Sequence, residues 1–145
     1  MSRFFHPIFA VVIGLSAALA AVPSAKAADL GVYVGDPGIC GQNWVLGRIT
    51  RNFAHQVRHV PNLPHVAITD FHNIHERRYL PSHEDNPIGR RYCGATATMS
   101  DGVSRDVWYL IEEGQGFASM GNNVEFCVSC FDRWYVYNGR CRVLR

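Results

Sequence analysis

Beyond residue 27 the chain has no lysine, so every permanent positive charge there is an arginine. That usage is consistent with planar, two-pronged pairing to carboxylates, and equally with the base composition of the gene. Net charge is also missing. Setting Arg3 and Lys26 aside leaves twelve arginines against twelve acidic residues. A neutral chain lacks the clustered positive charge that displaces counterions from a polyanion, so no nucleic-acid partner is expected. The doublets Arg77-Arg78 and Arg90-Arg91 lie near Glu76, Glu84 and Asp85 and read as solvated or paired strand-end charges. No apolar run long enough to cross a bilayer occurs after the first residues, and there is no repeat, no βαβ alternation and no Gly-x-Ser-x-Gly elbow.

What is present begins with a leader. A short basic start at Ser2-Arg3 runs into an apolar stretch from Ile8 to Val22 and ends at Ala25-Lys26-Ala27, the pattern of a cleavable secretory signal. The stretch, about fifteen residues, falls short of the roughly twenty needed to span a membrane. The expected product is one small domain, residues 28–145, in the periplasm or secreted, with no membrane span after cleavage. It carries five cysteines, Cys40, Cys93, Cys127, Cys130 and Cys141. In an oxidising compartment these are first read as disulfides, with one thiol left free or paired between chains, so a monomer or a disulfide-linked dimer is expected.

Residues 42–59 carry Val45, Ile49, Phe53 and Val57 at helical spacing, widened by Leu46 and Ala54. Arg48, Arg51, Asn52, His55, Arg58 and His59 fall on the other side. Pro61 and Pro64 end this helix. From Val66 the pattern becomes that of strands, interrupted by a proline-rich loop over 81–87. Tyr92–Ser100 and Val103–Glu113 flank Asp101-Gly102, a two-residue type I′ hairpin signal. It predicts Cys93 opposite Leu110 and Ala95 opposite Trp108 on one face, with Thr96, Thr98, Arg105 and Tyr109 on the other. Gly94, Ala95 and Ala97 leave room for a large neighbour, either Trp108 or the helix. Residues 114–121 form a glycine-rich turn whose apolar tip, Phe117 to Met120, is expected to fold back on the core, the alternative being a contact surface. Asn138-Gly139 predicts a second hairpin pairing Val136 with Cys141 and Trp134 with Val143. The expected fold is α+β: one N-terminal amphipathic helix packed on an antiparallel sheet of hairpins, stabilised by disulfides.

Candidate chemistry is sparse. Cys127-Val-Ser-Cys130 has dithiol redox spacing, but no helix pattern follows to lower a thiol pKa. A thiol–disulfide protein using Cys127 and Cys130 is thus one alternative to a structural role. Another is a metal or haem binder. His55 and His59, four apart on a helix, are the weak metal candidates, flanked by Arg48, Arg51 and Arg58 and lacking the glutamate of a zincin. His72 and His75 would point to opposite faces of a strand. Gly114-Gln-Gly116 resembles a phosphate loop only in its glycines, because Glu112 and Glu113 precede it and no helix follows. Glu112, Glu113, Glu125 and Asp132 nominate no catalytic pair, and no cofactor is called for.

Two stretches, His75-Glu-Arg-Arg-Tyr79 through Pro87-Ile-Gly-Arg-Arg-Tyr-Cys93, and Val107-Trp-Tyr-Leu-Ile-Glu112 through Val124-Glu-Phe-Cys127 to Arg140-Cys-Arg142, resemble a family of small exported alphaproteobacterial proteins that has no assigned activity. The resemblance covers residues 74–145. It implies a Gram-negative periplasm or secretion and supplies no catalytic residue. Glycine is usual in that family at the position of Cys130, which implies that Cys130 is the free thiol; with the resemblance given the greater weight, the expected bridges, among fifteen ways of choosing two bridges and a free thiol, are Cys40–Cys93 and Cys127–Cys141. Strand alternation points elsewhere, placing Val124, Phe126, Val128 and Cys130 on the buried face and Cys127 with Glu125 and Ser129. The resulting functional expectation is a non-enzymatic module that binds a protein or small-molecule partner.

Overall fold

The computed structural model describes residues 37–145; the leader, residues 1–27, lies outside the described residues. A single turn of 3₁₀ helix (Gly38–Gly41) leads into helix α1 (Asn43–His59). Four antiparallel strands follow in chain order across one sheet: β1 (Ile68–Leu80), β2 (Arg90–Met99), β3 (Ser104–Glu112) and β4 (Asn123–Val128). One helix on a four-stranded antiparallel sheet, with two disulfides, is the α+β arrangement expected from the pattern.

Helix α1 buries Val45, Ile49, Phe53 and Val57. These join Ala95, Ala97, Met99, Val107, Tyr109, Ile111, Val124 and Val128 in one core on the inner face of the sheet. Its basic last turn opposes the helix dipole. There, Arg58 Nε donates to the Ala54 carbonyl at 3.0 Å and His59 Nδ1 to the His55 carbonyl at 2.7 Å. The helix is tied to the segments flanking β4 by Arg48 Nη1, which donates to the Asn122 carbonyl at 2.9 Å, and by Gln56 Nε2, which donates to the Phe131 carbonyl at 3.0 Å. Cys40 and Cys93, both fully buried, form a disulfide between the segment preceding α1 and β2. The buried Tyr109 hydroxyl donates to the Cys40 carbonyl at 2.8 Å, fastening β3 to the same point. Burial pushes the Tyr109 phenol well above its ordinary pKa.

Four expectations are corrected. The β2–β3 register is Cys93 with Tyr109 and Ala95 with Val107, one residue from the predicted pairing. Asp101-Gly102 sits in a three-residue loop: Gly102 N–H donates to the Met99 carbonyl, and Gly102 alone takes positive φ, at +79°. Asp101 stabilises this turn by accepting from Val103 N–H at 3.0 Å and pairing with Arg105 at 2.9 Å. Arg105 in turn holds the Asp101 carboxyl below its ordinary pKa. A one-residue slip exchanges the faces of β3, so Tyr109 lies inside, and Trp108 and Leu110 lie on the outer face.

His72 and His75 share one face. Asn73 takes a φ of 53° in a bulge, so His72 pairs with Thr96 and His75 with Gly94, two positions on the same side of β2. The tip of the 114–121 turn does not fold back, since Phe117 is 87% and Met120 72% exposed. The second hairpin is also absent. Asn138 and Gly139 have the positive φ expected of them, but Arg140 (52°) and Cys141 (58°) continue in the left-handed region. That backbone cannot extend into a strand. Residues 129–145 instead form successive turns and a short 3₁₀ helix, Arg142–Leu144.

Those turns lie over the outer face of the sheet. Leu110, Cys127, Cys141 and Leu144 make a second small core, flanked by Tyr92, Trp108 and Tyr137. The Cys127–Cys141 disulfide closes it. Val124, Phe126 and Val128 face the helix as alternation requires, and Cys127 faces the other way. That other face is covered.

Candidate functional site

The most distinctive surface is built on the outer face around Trp108. The small residue at Gly94 admits its indole: a Cβ there would stand 2.8 Å from Trp108 Cζ3 and 2.8 Å from His75 Nε2. His75 meets the ring edge-on at 6.5 Å between centroids. Two guanidinium groups lie against the same ring, Arg77 at 4.9 Å and Arg145 at 5.6 Å from its centroid, within cation–π range. Beside them Arg78 stacks on Tyr92 at 4.0 Å. The indole N–H is buried and makes no hydrogen bond among the described residues. Gly94→Ala is expected to cost about 1–3 kcal/mol by overpacking and to change tryptophan emission. Unchanged melting and emission would show that the contact is slack.

The arginine doublets thus divide. Arg90 pairs with Glu112 at 3.1 Å, and Arg91 with Glu76 at 2.7 Å and Glu113 at 3.5 Å, as strand-end charges should. Arg77 and Arg78 lie on aromatic rings, and Arg91 stacks on the Tyr79 ring at 3.6 Å in addition to its ion pairs.

From Trp108 the surface continues into the C-terminal turns. Trp134 is 64% and Tyr135 73% exposed. A cleft of about 540 Å³ is lined by Tyr135, Asn138, Gly139, Arg140, Arg142 and Arg145. Arg142 Nε donates to the Asn138 carbonyl at 2.9 Å, which leaves its two terminal nitrogens directed elsewhere. Asp132 accepts from Tyr137 N–H at 3.1 Å and so closes the turn that leads into the cleft-lining segment. Burial, with the nearby charges of Glu125 and Asp132, raises the Tyr137 phenol above its ordinary pKa. No known protein family, curated protein or solved structure matches the chain.

The other candidate residues are placed as follows. Cys127 is bonded to Cys141, so it forms no dithiol with Cys130, which is exposed and free. His55 and His59 stack on the exposed helix surface with centroids 3.9 Å apart. No group of three or more His, Cys, Asp or Glu able to hold a metal occurs among the described residues. Glu112 and Glu113 are committed to Arg90 and Arg91, and Asp132 to the Tyr137 backbone. The outer-face cluster was missed because it depends on the register slip and on the left-handed turns. Its one signal in the sequence is the absence of acid after Asp132 while Arg133, Arg140, Arg142 and Arg145 follow.

Proposed function

We propose that this chain is an exported, extracytoplasmic binding module, non-enzymatic, whose recognition surface is the stapled C-terminal segment and the Trp108 face beneath it. The observation that carries the reading is the exposure of Tyr135 in one cleft with Arg140, Arg142 and Arg145, with Trp134 exposed at the preceding position. Trp, Tyr and Arg are the residues that supply most binding energy in interfaces. Here the Cys127–Cys141 bridge joins the segment that bears them to β4, which reduces the ordering cost of binding. Two intrachain bridges support an oxidising compartment. The leader pattern of residues 1–27 and the resemblance to small exported alphaproteobacterial proteins support the same location.

Non-reducing peptide mapping of protein expressed with its own leader tests this. Linked peptides should join Cys40 to Cys93 and Cys127 to Cys141, with Cys130 alone alkylated and the N-terminus following Ala27. Five alkylatable thiols in a chain that retains its leader would remove the reading. Insulin reduction that is lost in Cys127→Ser would replace it with a redox enzyme.

A further inference from the structure

We propose that the cleft formed by residues 135–145 binds a small oxyanion, a phosphate or phosphate monoester, a ligand class that rests on the binding-module reading above. The neutral charge of the chain conceals a segregation: after Asp132 there are four arginines and no acidic side chain. Three of them, Arg140, Arg142 and Arg145, converge on one cleft with no aspartate or glutamate side chain in its lining. Like charges so placed repel, and a dianion relieves that repulsion most. Glu125 and Asp132 act on Tyr137 and do not line the cleft.

The geometry favours an oxyanion over a generic acidic surface. Arg142 is held through Nε by the Asn138 carbonyl, so its two terminal nitrogens form the flat fork that pairs with phosphate oxygens. Arg145 lies against the Trp108 ring at 5.6 Å from its centroid, which fixes one guanidinium of the cleft against the outer face of the sheet. The backbone is committed to this shape. Asn138, Gly139, Arg140 and Cys141 all have positive φ, a conformation disfavoured for the three non-glycine residues and closed by the bridge at Cys141. At about 540 Å³ the cleft has the size of a small-molecule site. A bare phosphate would leave space that Tyr135 flanks, which favours an ester with an organic part.

The test is a titration of the oxidised, peptide-mapped protein followed by backbone amide resonances. Inorganic phosphate and glycerol 3-phosphate are added in one arm, phosphatidylcholine vesicles doped with phosphatidic acid in another, and sodium acetate at equal ionic strength serves as control. Saturable shifts confined to residues 135–145 support the proposal, with the responding arm identifying a free or a lipid-borne phosphate. Binding should weaken about tenfold or more in Arg140→Gln/Arg142→Gln. It should weaken in the same direction in Arg145→Gln, which keeps Arg142's tie to Asn138, and stay unchanged in Arg51→Gln on the exposed helix face. No saturable shift in either arm, an equal response to acetate, or equal weakening by Arg51→Gln would overturn the proposal. An intact peptide map would then leave the module reading standing, whereas a reduced, leader-bearing chain removes both.

Discussion

Replacing Cys40 and Cys93 together by alanine should lower stability by about 4 kcal/mol, the value that loop closure gives for a sequence separation of 53. Such a loss is a large share of what holds a small domain folded. The bridge spans α1, β1 and the start of β2, so its removal frees the helix and the edge strand at once. Both sulfurs are in the main core, and alanine avoids placing a hydroxyl there without a partner. Urea denaturation followed by far-ultraviolet circular dichroism reads the change. A loss under about 1 kcal/mol would mean that the unbridged chain keeps Cys40 at β2 through the Tyr109 hydroxyl and packing alone.

The same relation gives about 3 kcal/mol for Cys127–Cys141, which are 14 positions apart, but the consequence differs in kind. This bridge closes only the small outer core of Leu110, Cys127, Cys141 and Leu144. Cys127→Ala/Cys141→Ala should therefore leave the amides of α1 and the sheet protected from hydrogen exchange while residues 129–145 exchange freely. The strained run from Asn138 to Cys141 should relax, and the arginine cleft should disappear with it. Loss of protection throughout the sheet would show that the outer core is integral to the fold rather than a cover on it.

How far this architecture was legible depends on whether the deciding interactions are local. The helix and its buried stripe follow from apolar spacing alone, because one face of α1 meets one continuous core. The four strands of the sheet were equally visible, although the two further strands expected around Asn138-Gly139 do not form. The β2–β3 register was not, because Asp-Gly serves a two-residue loop and a three-residue loop alike; the choice is made by Asp101 accepting from Val103 N–H and pairing with Arg105. Alternation put Cys127 opposite the helix-facing residues of β4 correctly, yet only tertiary structure reveals that the outer face is covered. The bridges came from the family resemblance, not from periodicity. Cys130 escapes its predicted burial because β4 ends at Val128 and Cys130 turns outward with a φ of 74°. The candidate site was the least visible part. It assembles residues from β1, β3 and the C-terminal turns, and its shape comes from left-handed backbone at non-glycine positions that no propensity favours.

Truncating the helix stripe at its centre should match the first bridge in effect: Phe53→Ala is expected to cost about 3–5 kcal/mol. The side chain is fully buried and meets Phe131 edge-to-face, with centroids 4.9 Å apart and planes at 70°. Removing it forfeits the transferred apolar area and leaves a cavity that the close-packed interior fills only in part. The defect also reaches beyond the helix. Phe131 belongs to the segment that crosses from β4 toward the outer face, and Gln56, one turn along α1, donates to the Phe131 carbonyl. Loosening this contact therefore weakens the point at which the C-terminal turns leave the main core. Phe53→Ala should accordingly raise exchange in residues 129–145 as well as in α1, whereas Asn52→Ala, on the exposed side, should change stability by no more than about 0.5 kcal/mol. Comparable losses from the two substitutions would mean that α1 is not docked through the Val45–Ile49–Phe53–Val57 stripe, and that the outer face has no fixed inner layer to hold it.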